Sequence, residues 1–339
     1  FSLENPTRLV LDVTPHARAT LEDETRILRP GVTYRRFSAP TAIGSSGVYL
    51  LEIAPGSGEF RVVGSAETPQ TVSALSSGAF AAINAGYFDT RTFDAIGLLK
   101  IDGGLLSLPS RSRASIGFGA GGAVIDRVQA RVNVQIDGRR YSGSALGEGL
   151  EVGLEVVARP GESAGLPTKG VITVAHGRVQ ANRVGPLSVP PGGFAVVYDP
   201  SERSLALVEP GAQASFDIAF DPPAFASLPY AVEAGPLLVA RGLPAFAPDS
   251  EQFRRGERIL DEYTQQAAIG LRADGTVLLL VADNMIAEEL VPLMLGLGAL
   301  HAMRLDSGGS STLVVEGRAI NRSSERKVVS AIVFLPHAN

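Results

Sequence analysis

QQAAIGLRADGTVLLLVADN, residues 265–284, decides the fold. Two apolar runs flank Ala273, Asp274 and Gly275, and an Asp-Gly pair between such runs is the signature of a tight β-turn. The stretch therefore reads as a hairpin, with Asp283 and Asn284 where its second strand runs out.

Similar short runs surround it. VYLLEI (48–53), FRVVGS (60–65), VITVAHGRV (171–179), FAVVYD (194–199) and SLALVE (204–209) are rich in Val, Ile and Leu. Gly, Pro, Asp or Ser bounds each one, as at strand ends. Two segments have helical spacing, TVSALSSGAFAAI (71–83) and MIAEELVPLMLGLGALHAM (285–303). In the second, Ile286, Leu290, Leu293, Met294 and Leu297 fall near one face, Pro292 sits in the early turns, and Gly296 and Gly298 loosen the end. Residues 14–31 are polar, and residues 244–262 are charged, which predicts an exposed insertion or lid. The expected fold class is α+β, with a mixed, strand-rich sheet core and few flanking helices in a single domain. The predicted boundaries are an N-terminal arm or packing segment over 1–30 and one domain over 31–339.

Composition narrows the function. The chain has 339 residues, enough to bury a core without covalent staples. It has no cysteine, which excludes disulfides, thiolate metal sites and cysteine nucleophiles. A net charge of −5 argues against a nucleic-acid partner. The longest apolar region, 277–303, is interrupted by Asp283, Glu288 and Glu289 and does not read as a membrane span. A chain that begins at Phe1 without methionine reads as processed upstream, giving an expected location that is secreted, periplasmic or cell-envelope.

Four segments gather polar groups inside apolar frames. In INAGYFD (83–89), Asn84 offers both donors and an acceptor at a sharp turn, with Tyr87 and Asp89 beyond it. In EAGPLLVARG (233–242), Glu233 stands two residues before Gly235 and Pro236. The hairpin contributes Asp283 and Asn284. In RLDSGGSST (304–312), Asp306 precedes Gly308 and Gly309, whose exposed backbone N–H groups resemble an anion nest, and Ser310, Ser311 and Thr312 add hydroxyls. The lysine and helix of a phosphate-binding P-loop are absent, as is the G-x-S-x-G of a serine hydrolase. The four histidines are scattered. Each segment taken alone also reads as an ordinary turn.

Taken in order, these segments resemble the phosphodiester glycosidase family. Its landmarks N-[GA]-G-[FY]-F, G-G-P-x-L, R-T-A-x-G, D-G-R and L-D-G-G-G-S-[SA]-T correspond here to NAGYF (84–88), AGPLL (234–238), QAAIG (266–270), ADN (282–284) and LDSGGSST (305–312). GVTYRRF (31–37) looks like the family's opening strand. The resemblance spans residue 30 or so to the C-terminus, making 31–339 a phosphodiester-glycosidase-like domain. Departures accompany it. Gln266 and Asn284 stand where the family has arginines, Ser307 replaces a glycine, and Arg304 precedes the Leu-Asp pair.

The resemblance implies cleavage of a glycosidic C–O bond in a bacterial glycan or glycoconjugate. Such chemistry needs carboxylates, and the implied catalytic candidates are Asp306, Asp283 and Glu233. The implied substrate contacts are Asn84, Tyr87, Asp89, Gly235, Gln266, Asn284, Arg304, Ser307, Gly308, Ser310 and Ser311. Arginine is the natural planar partner of phosphate, so replacement of two arginines points to an ordinary glycoside, or to an anion met by Arg304. The alternatives are retention of sugar-1-phosphodiester hydrolysis and a catalytically inactive carbohydrate-binding module on the same scaffold. No cofactor is required. Carboxylates and carbonyls suit calcium or magnesium, but no ligand spacing demands either.

Overall fold

The computed structural model of the chain describes residues 2–3, 8–9, 23–64, 68–109, 111–143, 145–146, 154–158 and 161–337. The 265–284 stretch is a hairpin. Thr264–Arg272 pairs antiparallel with Val277–Met285, Ala267 opposite Val281 and Leu271 opposite Val277. At the turn, Gly275 adopts φ 87° and Asp274 Oδ1 accepts the Thr276 N–H at 2.9 Å. This hairpin is the middle of an eight-stranded antiparallel sheet. The order is Leu243–Pro244, Leu237–Ala240, Ala299–Arg304, Thr264–Arg272, Val277–Met285, Gly44–Ile53, Val32–Thr41, Glu24–Arg29. The 30/31 boundary expected from sequence falls in the turn joining the last two strands, and of the 1–30 arm residues 1, 4–7 and 10–22 lie outside the described residues.

One face of this sheet carries Leu51, Ala267, Ile269, Leu279, Val281, Met303 and Leu305. It packs on a five-stranded sheet ordered Arg318–Ala319, Leu313–Val315, Ala81–Asn84, Ser330–Pro336, Gly58–Gly64, through Ile83, Leu313, Ile332 and Phe334. The other face is covered by the helix Leu290–Gly296, whose Leu290, Val291 and Met294 are buried against Leu278, Leu280 and Ala302. A third sheet includes the long strand Gly122–Ile136, which pairs with Arg113–Gly119, Arg139–Gly143 and Ala214–Asp221. Its far half packs through Val132, Val134 and Phe216 on a fourth sheet containing Gly170–Ala175 and Gly193–Tyr198. Among the described strand pairs only Ala145–Leu146 with Glu155–Val157 is parallel. The strand-rich α+β class with few helices holds.

Several element boundaries differ from the sequence reading. The helix expected over 285–303 is a 3-10 turn at Ala287–Glu289 followed by Leu290–Gly296. Gly298, at φ 80°, closes it with its N–H on Leu295 O. The rest becomes the strand Ala299–Arg304, because sheet partners are available on both sides of it. The 71–83 helix is confined to Val72–Leu75, capped by Thr71 Oγ1, and the apolar remainder forms the strand Ala81–Asn84. Residues 171–179 divide into two strands around the turn at His176 and Gly177, both at positive φ. SLALVE forms no strand; Arg203–Ala206 is one helical turn that buries Leu205. The charged 244–262 segment is not a loose lid, since it drives Glu251, Phe253 and Leu260 into the interior.

Candidate functional site

The strand Ala299–Arg304 delivers Asp306 to the end of the two-sheet core. Leu305 N–H bonds Ala267 O at 2.8 Å and Asp306 N–H bonds Ala85 O at 2.9 Å, so the loop is tied to both the hairpin and the NAGYF segment. Gly308, at φ 68°, starts the 3-10 turn Gly308–Ser310 that returns the chain to Leu313–Val315. Asn84 clasps both ends of this loop. Its Nδ2 donates to Asp306 O at 2.6 Å and its Oδ1 accepts Thr312 N–H at 3.0 Å. Asn84 is buried and its amide is committed to backbone groups, so it shapes the loop rather than offering itself to a sugar. Ser307 is likewise structural, accepting Ala267 N–H at 3.1 Å and donating to Leu305 O at 3.0 Å.

The Asp306 carboxylate accepts Ser307 N–H at 2.9 Å and is hydrogen-bonded by Ser310. Burial pushes its pKa above the ordinary value; the Ser310 bond, the Arg304 and Arg326 charges and the Ser307 N–H pull the other way. Behind it, Arg304 is buried at 1% exposure. Its Nε donates to Gln266 Oε1 at 2.7 Å, and its Nη1 donates to the Tyr87 hydroxyl. Tyr87 in turn donates to Gly235 O at 2.7 Å, and Gln266 Nε2 to Met285 O at 2.9 Å. Burial pushes the Tyr87 phenol up to about 12, which keeps it a donor. Arg304 therefore supports Asp306 from the interior and does not reach outward to meet an anion, contrary to the sequence expectation.

Asp283 lies beyond Ser311. Ser311 Oγ donates to Gln265 O at 3.1 Å, and Gln265 Nε2 donates to Asp283 Oδ1 at 3.2 Å and to Asn321 O at 3.4 Å. Burial raises the Asp283 pKa, with the Gln265 bond and the Arg36 charge opposing. Successive strand residues point to opposite faces, so Asn284 stands away from Asp283; it is exposed, with its N–H on Ser46 Oγ at 3.0 Å.

Glu233 belongs to a separate buried cluster. It accepts the Leu98 N–H at 3.3 Å, and a Cβ at Gly97 would stand 2.3 Å from its Cδ. Burial raises its pKa to about 8, against the pull of the Leu98 N–H and Arg113. Arg113 stacks 3.9 Å above the Phe253 ring centroid, and Phe253 packs edge-on to Tyr87. Gly235, at φ 95°, leaves room for Glu251, whose Oε2 would be 2.8 Å from a Cβ there. Asp89 is also apart, on the surface. It caps the turn 89–94 through the Arg91 and Thr92 N–H groups, which hold its pKa low.

Three of the residues that sequence reasoning missed stand around this loop and its support. Glu251 is fully buried and binds Ala114 N–H, Leu237 N–H and Arg127. Arg322 donates through Nη1 to Gly309 O, and Arg326 acts electrostatically on Asp306. The arginine-rich run RAINRSSERK (318–327) was the available signal for the last two. No group of three or more His, Asp or Glu side chains is gathered as a metal site among the described residues. No helix among them is long and apolar enough to cross a membrane.

Residues 168–335 match the model of the phosphodiester glycosidases. NAGYF precedes that span, yet the fold seats it on the matched loop 305–312. The chain is 39% identical over 77 residues to YomE, an uncharacterized protein derived from the SPbeta prophage of Bacillus subtilis; the alignment covers 20% of this chain and only 12% of that protein. In structure, the chain is similar to a hypothetical protein from Synechocystis, at TM-score 0.83 and 20% identity over 99% of this chain and 67% of that one. It is also similar to a protein of Burkholderia pseudomallei K96243 whose name marks it as a candidate exported protein, at TM-score 0.66 and 19% identity over 86% and 74%. At such identities these two likenesses show the fold alone.

Proposed function

We propose, starting from a chain that is a divergent member of the phosphodiester glycosidase family over residues 168–335, that the protein hydrolyses a glycosidic C–O bond in a bacterial glycan or glycoconjugate. The observation that carries this reading is the seating of Asp306. Its carboxylate is held between the Ser307 N–H and Ser310, with the Arg304 charge behind it.

Heterolysis of a glycosidic bond sends the electron pair out with the leaving oxygen and leaves positive charge on the sugar ring. A buried carboxyl of raised pKa can hold a proton for that oxygen at a higher pH than an ordinary aspartic acid can. Once the proton has moved, the two loop donors and Arg304 stabilise the carboxylate that remains. In this reading Asp283, joined to the loop through Gln265 and Ser311, is the second carboxyl and orients the water that adds to the ring carbon.

The test is release of reducing sugar from bacterial glycans by the wild type, Asp306→Asn and Asp283→Asn. Release by the wild type and its loss in folded Asp306→Asn supports the reading; undiminished release by Asp306→Asn overturns it. One observation favours the binding-module alternative. Asn84, Arg304 and Ser307 spend their polar atoms inside the protein. Glycan binding with no release, by wild type and Asp306→Asn alike, would select it.

A further inference from the structure

Near Asp283 the chain buries polar atoms that the protein itself leaves unpaired. Arg36 Nε, Arg322 Nε and Gln265 Oε1 have no hydrogen-bond partner in the structure. A buried donor or acceptor that nothing satisfies destabilises the fold, so such groups on segments that meet around Asp283 point to a place where a ligand completes the bonding.

They come from different elements. Arg36 projects from Val32–Thr41, with its guanidinium 5.3 Å from the Tyr49 ring centroid, and its charge acts on Asp283. Gln265 comes from the hairpin and touches both Asp283 and Asn321 O. Arg322, next to Asn321, is pinned by its Nη1 to Gly309 O, and neither it nor Arg36 makes an ion pair among the described residues. Beside Gly309 lies Arg326, within 3.5 Å of where a Cβ would be. The locus therefore offers cations from two sides and acceptors from Gln265 and Asp283.

We infer that Arg36 and Arg322 are specificity-determining residues that clasp an anionic group carried by the sugar, while Gln265 Oε1 and Asp283 receive the sugar's hydroxyls. The ligand chemistry is a hydroxyl-rich sugar bearing a compact oxyanion, phosphate or carboxylate. Guanidinium N–H donors suit either anion. The cations absent at Gln266 and Asn284 are thereby replaced from other elements, which Arg304, locked inside, does not do. This inference rests on the proposed function only in taking the ligand to be a sugar.

The test is equilibrium binding, which needs no turnover. Calorimetric titration of the full chain with glucose 6-phosphate, glucuronate and glucose compares the two anions with their neutral parent. We expect an anionic sugar to bind at least about tenfold tighter than glucose, the better of the two naming the oxyanion. Arg36→Gln and Arg322→Gln should each erase that preference while remaining folded, with the wild-type circular dichroism spectrum and a cooperative melt. Arg322→Lys, which keeps the charge but lacks Nε–H, should restore part of it. Asp306→Asn should bind as the wild type does, so loss of hydrolysis with binding intact counts against the proposed reaction and not against the clasp. Equal binding of charged and neutral sugars, no binding of any of the three, or an undiminished preference in both folded glutamine variants overturns the inference.

Discussion

Arg304 Nε donates to Gln266 Oε1 at 2.7 Å. Two of the four positions where the chain departs from the family's motifs are thus direct partners on neighbouring strands. Where the family has an arginine on the hairpin strand, this chain has a neutral acceptor, and the guanidinium arrives from Ala299–Arg304, paired Ala268 to Arg304. In this chain the cation behind Asp306 comes from Ala299–Arg304.

This pairing makes a reciprocal prediction. Gln266→Arg alone sets two buried guanidinium groups against each other and removes the acceptor, which should cost about 3 kcal/mol or more in denaturant unfolding. Arg304→Gln alone leaves the Gln266 carbonyl and the Tyr87 hydroxyl short of a donor, at about 1–3 kcal/mol. The double variant Gln266→Arg with Arg304→Gln restores one cation and one acceptor. It should be more stable than the sum of its single variants, with a coupling of about 1 kcal/mol or more. Strict additivity would show that the two side chains do not work as a pair.

Asp306→Asn keeps the backbone bonds to Ala85 and Asn84 that fix the loop. It should fold normally, seen by an unchanged circular dichroism spectrum, and lose about 100- to 10,000-fold in hydrolytic rate, the range of a general acid or base. Ser310→Ala removes one donor to the carboxylate. It should raise the Asp306 pKa further and shift the alkaline limb of the pH–rate profile, where the acid loses its proton, upward. An unshifted limb would separate Asp306 from the titration that governs rate.

The legible parts of this chain were local ones. The 265–284 hairpin could be read because its turn residues and apolar alternation lie within a few positions of each other. The helix over 285–303 could not be bounded from sequence. Ala299, Ala302 and Met303 are apolar enough for either helix or strand, and the sheet edges that select a strand come from residues 237–240 and 264–272. For the site, NAGYF and LDSGGSST are two of the ordered motifs legible in the sequence, and the fold brings them together through Asn84. What the motif letters concealed was direction. Asn84, Ser307 and Arg304 face inward to hold the loop, and the cations Arg322 and Arg326 follow the last short hairpin. Glu251 was illegible for the same reason, since its partners Ala114, Arg127 and Leu237 gather only in three dimensions.

Glu251 should therefore behave as a keystone, whatever the protein's substrate. Glu251→Ala strands two buried backbone N–H groups and unpairs Arg127, which is partly exposed. Loss of one partner from a buried ion pair costs about 3–5 kcal/mol. Glu251→Gln retains an acceptor and should cost less. Equal, small effects of both substitutions on the urea midpoint would refute that role.

Glu233 gives stability a pH dependence of unusual sign for a carboxyl group. Its pKa rises from 4.5 to about 8 on folding, chiefly through burial. Between those values the folded protein keeps a proton that the unfolded chain has released, so stability falls as pH rises. The contribution is complete below the unfolded value of 4.5 and is lost as pH passes about 8. Its size is on the order of a few kcal/mol. Glu233→Gln mimics the protonated form, keeps an oxygen for the Leu98 N–H, and leaves the space beneath Gly97 filled. Urea unfolding across pH 5 to about 9 should show a declining stability in the wild type and a flatter one in the variant. The two curves should lie closest at the acid end. Parallel curves would mean that Glu233 is ionised throughout, with Arg113 outweighing its burial.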